Sequence, residues 1–315
     1  MKSSEINYPI LITFISVHCL TVFSLGCSPY LPHYLVWAAA MIFLRWLGFT
    51  CAAHRYFAHR VCRTSRVFQF VLGIWATLTM TRSPIRFASG HRHHHLYSDR
   101  KGDLHSPKQH GLFGSYIGWV INKRYHEDTL GWVGDLKRYP ELIWLNRYYF
   151  VPNIILLWAL FQYGGLPMFT YAGLLSAVIT WHLAFSVTVL FHRVGSAAYQ
   201  TGDDSKNSMV LALVTCGEGW HNNHHANARS CRLGHEWWQI DLGYIVFMAL
   251  EALGLVWSIN KSVGSAHLGI RSVVRESDLG SGRDYDGELL DRGTTISGVG
   301  ELPPGFRLPA MMFIT

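Results

Sequence analysis

Nine histidines fall in three short clusters, eight of them besides His93: His54-Arg-Tyr-Phe-Ala-His59, His91-Arg-His-His94-His95 and His221-Asn-Asn-His224-His225. Neutral imidazole is the commonest metal-binding side chain, so the chemistry to test first is metal binding. The second and third clusters share the spacing H-x-x-H-H. On an α-helix at ~100° per residue, positions i, i+3 and i+4 fall within a ~100° arc, so three rings point to one side. His93 lies ~200° from His91 on the same wheel and faces away. The first cluster has i, i+5 spacing, ~140° apart on an α-helix, which suits a helix end whose two rings approach two different ions. All-imidazole ligation suits Zn, Cu, Fe or Ni. A structural zinc takes four ligands and a catalytic one three, so eight clustered histidines exceed one such ion and two ions fit better. Two redox-active ions beside a membrane suggest oxygen chemistry on a lipid. Soluble di-iron bundles use Glu and Glu-x-x-His, and no carboxylate here has that spacing. His18, His33 and His267 stand alone and read as structural.

These clusters need elements to hold them on one face. Half of the 315 residues are hydrophobic and only 15% are charged, against about 25% in a soluble globular chain. That excludes an intrinsically disordered chain and makes a multi-pass membrane protein the leading class. The formal net charge of +7 is compatible with nucleic acid or an anionic membrane surface. The apolar content favours the membrane, and no nucleic-acid partner is expected. No Asp, Glu, Lys or Arg occurs from Ile6 to Leu44, and a second charge-free stretch runs from Tyr148 to His192. Each is too long for one span of roughly 20 residues. Each is broken by turn residues, at Cys27-Ser28-Pro29-Tyr30-Leu31-Pro32 and at Gly164-Gly165-Leu166-Pro167. Two helical hairpins follow, with spans near 8–26, 32–52, 148–163 and 168–190. A cleaved signal peptide fits the first run less well, because the apolar stretch is too long and no A-x-A site follows.

Both hairpin turns lack Lys and Arg, whereas residues 53–147 carry 15 of them. The positive-inside rule then places 53–147, 192–265 and both termini in the cytoplasm. The apolar runs Val67–Thr81 and Leu242–Trp257 read as interfacial or buried helices. If the first of them spanned, a bilayer would separate the first histidine cluster from the second. The expected fold is all-α: four transmembrane helices and a cytoplasmic helical cap holding a di-metal site, over residues 1–265. Residues 266–315, rich in Gly, Ser and charge, read as a disordered tail. The six cysteines form no C-x-x-C pair, which argues against iron–sulfur ligation and a disulfide scaffold.

In order and spacing, the three clusters resemble the histidine boxes of the membrane fatty acid desaturases, specifically the Δ9 acyl-CoA or acyl-lipid branch related to stearoyl-CoA desaturase, and look like its bacterial members. The likeness continues through Lys101-Gly-Asp-Leu-His-Ser-Pro107, Asp135-Leu-Lys-Arg-Tyr-Pro-Glu141, Thr201-Gly-Asp-Asp-Ser205, Gly217-Glu-Gly-Trp220 and Trp237-Trp-Gln-Ile-Asp241, covering about 40–260. The resemblance implies two irons held by His54, His59, His91, His94, His95, His221, His224 and His225. A ninth ligand, His192, is implied by the match of Thr188-Val-Leu-Phe-His192 to the family's N-S-x-x-H element. Thr188 stands where the family has an Asn that holds a water beside one iron, and Leu104 stands where it usually has Pro. Asp103, Glu218, Asn222 and Asn223 become candidates for orienting the imidazoles. The resemblance further implies O2 as co-substrate, a cis double bond placed in the acyl chain of an acyl-CoA or acyl lipid, and an integral-membrane location. It also implies a separate electron donor of ferredoxin, rubredoxin or cytochrome b5 type, since no haem-binding HPGG box is present.

Two other readings compete. A histidine-rich lipid hydroxylase or carotenoid ketolase shares the first hydrogen abstraction. A metal transporter would need ionisable residues at mid-depth of its spans, and most histidines here flank the membrane instead.

Overall fold

The computed structural model describes residues 5–123, 125 and 132–263; the stretch 266–315, expected to be a disordered tail, lies outside them. Among the described residues the chain is mostly helical. Three helices are long and apolar enough to cross a membrane: Tyr8–Cys27 (α1), Pro32–Ala58 (α2) and the forty-residue Val151–Leu190. Asn7 starts α1 by accepting the Ile10 N–H, with Pro9 in the first turn, where its missing N–H costs nothing.

The long third helix is not one rod. Gly164 (φ −147°, ψ 24°) and Gly165 (φ 64°, ψ −156°) leave helical geometry, a conformation glycine adopts without steric penalty. The chain then folds back: a Cβ on Gly173 would sit 2.6 Å from Leu157 Cδ2, so the two arms pack side by side. We call Val151–Met168 α8 and Ser176–Leu190, preceded by a π-helical stretch Phe169–Leu175, α9.

The remaining helices are shorter. They are α3 (Arg66–Leu78), α4 (Pro84–Tyr97), α5 (Pro107–Phe113, continued by a π-helical Gly114–Gly118), α6 (Gly134–Lys137), α7 (Pro140–Arg147), α10 (Met209–Val214), α11 (His221–Ala226) and α12 (Leu242–Ala252). At thirteen and eleven residues, α3 and α12 are too short to cross ~30 Å of hydrocarbon. The fold is mostly helical, as expected, with one small pair of strands among the described residues. Arg63–Thr64 (β1) and Val256–Trp257 (β2) pair antiparallel, because the chain after α12 is pinned back to the segment that leaves α2.

Two buried arginines lock the layers together. Arg45 on α2 reaches the Leu78 carbonyl, Ser176 Oγ and Asn153 Oδ1, tying α2 to α3, α8 and α9. Arg55, with no exposed surface, donates to the Cys231 carbonyl and to both oxygens of Asp241. Gly243 is required at this point, since a Cβ there would sit 2.7 Å from the guanidinium carbon.

Candidate metal centre

The last part of α2, Gly48–Ala58, is wound as a π-helix. Its i→i+5 hydrogen bonding brings residues five apart onto one face, and the pattern extends through the His59 N–H, which donates to the His54 carbonyl at 3.2 Å. His54 and His59 therefore address the same point. The expectation that they serve two ions rested on α-helical phase and is corrected by this winding. Ser83 caps α4 by accepting the Arg86 N–H, with Pro84 at the first position. That helix delivers His91, His94 and His95. Arg92, on its other side, donates to the Phe57 and Ala58 carbonyls, which are otherwise orphaned at the end of α2. The six-residue α11 delivers His221, His224 and His225, and His192 follows the end of α9.

All nine histidines gather in two groups, one of His54, His59, His91, His95 and His224, the other of His94, His192, His221 and His225. The two H-x-x-H-H clusters exchange a member. The i and i+4 rings of each stay together, and the i+3 ring crosses to the other group. The ring nitrogens converge: Nε2 of His54 and His224 are 3.0 Å apart, His224 and His95 3.0 Å, His95 and His91 3.0 Å, His91 and His59 2.8 Å, and His221 and His192 3.2 Å. Nitrogens so spaced match the edge of a coordination shell with metal–nitrogen bonds of about 2.1 Å, for which a right angle gives about 3.0 Å.

The charge state also suits a metal. Burial, followed by neighbouring imidazoles, pushes His91, His95, His221 and His224 well below the ordinary histidine range. Those rings are neutral at pH 7 and carry lone pairs. Four carboxylates sit behind the rings: Glu218 at 2.6 Å from His54 Nδ1, Asp103 at 3.1 Å from His94, Asp99 at 2.7 Å from His192 and Asp203 at 2.6 Å from His225. Burial raises the Asp103 carboxyl, but the charge of His94 and its hydrogen bond outweigh it and leave it far below its usual range. Asp99 and Asp203 behave likewise against His192 and His225. A carboxylate on Nδ1 fixes the tautomer that leaves Nε2 free to bind.

Of the residues singled out in the sequence, Asp103 and Glu218 touch imidazoles. Asn222 and Asn223 do not. Asn222 accepts the Ala198 and Tyr199 N–H groups, and Asn223 bonds Asn207, Gln239 and the Leu233 carbonyl; they order the loop behind α11. Thr188 faces the cavity described below, with its hydroxyl directed at the Ser115 and Phe185 carbonyls. His93 bonds the Gly102 carbonyl at 2.9 Å and joins neither group. Asp99, Asp203, Arg55 and Arg92 were missed, although each lies inside or beside a quoted motif, where a charged residue in a buried run is itself a signal. A cavity of about 900 Å³ reaches both groups at His54, His91, His94, His192 and His221, and its walls are chiefly apolar, with Phe49, Phe87, Trp181 and Phe185 among them.

Comparison with known proteins agrees with this geometry. The sequence profile described as Fatty acid desaturase matches residues 31–256. The chain belongs to the fatty acid desaturase family. It is 32% identical over 262 residues to the "sn-1 stearoyl-lipid 9-desaturase" of Anabaena variabilis, covering 81% of this chain and 94% of that one. It is 34% identical over 252 residues to the "Delta-9 desaturase-like 5 protein" of Arabidopsis thaliana (79% and 83% covered). Against the "Icosanoyl-CoA 5-desaturase" of Limnanthes douglasii the identity is 32% over 259 residues (79% and 70% covered). This desaturase is thus an oxidoreductase of fatty acyl chains with a histidine-rich metal site in a membrane protein.

Proposed function

We propose that the protein is a di-iron, O2-dependent desaturase that places a cis double bond, at Δ9, in the acyl chain of an acyl-CoA or acyl lipid. The observation that carries this reading is the apolar cavity ending on both histidine groups at once. Such a cavity holds a methylene chain, excludes water and presents unactivated C–H bonds to two ions. Iron bound by His54, His59, His91, His95 and His224, and by His94, His192, His221 and His225, would supply the oxidising power of activated O2. The chain's own residues do the rest. Glu218, Asp103, Asp99 and Asp203 hold the imidazole tautomers, and the aromatic walls orient the substrate. Relatives named as Δ9 desaturases support the double-bond position.

The same elements support a bilayer placement. α1, α2, α8 and α9 make four crossings, since the forty-residue helix folds back at Gly164-Gly165. The histidine groups and both termini lie on the cytoplasmic side, where the basic residues concentrate, and a separate carrier delivers electrons. Expression in a desaturase-deficient host tests the activity. Fatty acids lighter by two mass units with the double bond at carbon 9 are expected; a gain of sixteen mass units would assign a hydroxylase instead.

A further inference from the structure

Two histidines outside the metal centre meet inside the spans. His18 on α1 and His182 on α9 present their Nε2 atoms to one another at 3.0 Å, and neither belongs to the two histidine groups. Two rings are fewer than the three or four protein ligands of a metal site, and a hydrogen bond accounts for their spacing. The Phe14 carbonyl can only accept, so the His18 Nδ1–H donates to it at 2.7 Å. With neutral rings, His18 Nε2 then accepts from the His182 Nε2–H, and His182 Nδ1 accepts from the Tyr116 O–H at 2.7 Å. One proton arrangement thus satisfies all four ring nitrogens. Ionisable side chains within a span are costly and mark functional positions, and the metal centre makes no use of these two.

The hydrogen-bond chain joins three elements. Tyr116 lies in the π-helical Gly114–Gly118. The same segment runs on to Ile121 and Asn122, which hold the start of α1: the Asn7 N–H donates to the Ile121 carbonyl at 2.8 Å, and Ile6 and Asn122 form a β-bridge. Between that fastening and His18, α1 contributes Ile10, Thr13 and Phe14 to the wall of the acyl cavity. Within α1 only Thr21 and Ser24 are buried, so these two fastenings matter to its placement. α1 also precedes residues 31–256, the part matched by the desaturase profile.

This chain of side chains stands behind one end of the cavity. Among the described residues, the lining begins along α9 at Trp181 and stops along α1 at Phe14, while Tyr116, His18 and His182 are outside it. Trp181 lies eleven residues before His192, roughly 16 Å along the helix at 1.5 Å per residue. Phe14 and Trp181 stack with ring centroids 5.6 Å apart. His18 backs both, at 4.1 Å from Phe14 and 6.0 Å from Trp181. Phe185, also in the wall, is 5.9 Å from the rings of His182 and Tyr116.

We propose that Tyr116, His182 and His18 are positioning residues, a polar clasp inside the bilayer that fixes the Phe14–Trp181 pair as the stop for the methyl end of the acyl chain. The proposal rests on the desaturase reading only for the nature of the occupant. Hydrocarbon offers no water to replace a lost partner, so the imidazole pair resists separation. An apolar residue at position 18 leaves the His182 Nε2–H without an acceptor, and α1 is released from α9. A chain longer than the stop allows must push apart a packed aromatic pair, which overpacks the wall.

The test uses the full chain in lipid nanodiscs and a stearoyl chain with a diazirine at its methyl end, supplied as the CoA thioester and as a glycerolipid. Photolysis is expected to label Phe14 or Trp181, and excess unlabelled stearoyl substrate should suppress the label. Labelling confined to other residues overturns the proposal. Selectivity is read with competing saturated chains of increasing length. Phe14→Ala should move the preferred length up by two carbons or more. His18→Leu should raise the kcat/KM ratio of icosanoyl over stearoyl chains about tenfold. His18→Gln, whose amide oxygen still accepts from His182, should return that ratio to within twofold of the wild type. Bound iron should be the same in all of them. An unchanged ratio in His18→Leu overturns the proposal, as does an equal rise in His18→Gln. Should His18→Leu not fold, Tyr116→Phe, which removes the donor at the other end of the clasp, carries the same comparison. Suppressible labelling at Phe14 or Trp181 of a protein that forms no unsaturated product would uphold the stop and remove the desaturase reading.

Discussion

The two histidine groups solve the same problem differently. Among the described residues, the five-ring group has one carboxylate behind it, Glu218 on His54, whereas the four-ring group has three, Asp103, Asp99 and Asp203. Where the ring count is lower, three of the four rings, His94, His192 and His225, are oriented and made more basic by an acidic partner. Ring number in one group thus trades against the support of the rings in the other. The exchange of His94 and His224 makes the groups interdependent, because neither can be completed by one helix.

The largest effect should come from breaking either group. His94→Ala and His91→Ala should each lower turnover below detection and reduce the metal bound from about two ions to about one. Elemental analysis of iron-assembled protein beside a product assay reads both. Two ions retained in either variant would mean that the removed ring is not a ligand.

A smaller effect should sharpen the contrast. Asp99→Asn and Asp203→Asn should weaken metal retention about tenfold to hundredfold, the usual cost of losing such a partner, as followed by competition with a chelator. Glu218→Gln should weaken only the five-ring group, because His54 is the ring it contacts. A metal loss spread evenly over both groups in all three variants would erase the distinction.

Thr188→Val comes next. Its hydroxyl is directed at backbone carbonyls of Ser115 and Phe185, so removing it should cost about 1 kcal/mol, a rate loss of about tenfold or less. A hundredfold loss with unchanged thermal stability would show that the hydroxyl serves the metal centre directly. The smallest effect belongs to His93→Ala, which loses a hydrogen bond to the Gly102 carbonyl and should keep both metals and turnover within about threefold. Inactivity equal to that of His94→Ala would refute the helical phase of α4.

Much of this site could be read from the sequence because its information is local. H-x-x-H-H spacing puts three rings on one side wherever it sits on a helix, and Asp103 and Glu218 lie in motifs adjoining the boxes. The grouping could not be read. Which ring of His91, His94 and His95 meets which ring of His221, His224 and His225 is set by how α4 meets α11. Nor did hydropathy reveal the π-helical winding of Gly48–Ala58, since apolar content is blind to hydrogen-bond register. The hairpin turn at Gly164-Gly165 was legible because glycine pairs punctuate. The β1–β2 pairing was not, because two-residue strands leave no periodicity.

One feature bears on how the protein is made. His54 and His224, whose ring nitrogens meet at 3.0 Å, are 170 residues apart in the chain, and Arg55 finds its acceptor on Asp241 186 residues later. At ribosomal rates of about 5–20 residues per second, the first box waits roughly 10–30 s for its partners. Throughout that interval α1 and α2 can already occupy the bilayer, while the five-ring group stays incomplete. Metal capture is therefore one of the last events in biogenesis, and a nascent chain arrested before residue 221 should retain iron no better than one that lacks the histidine clusters altogether.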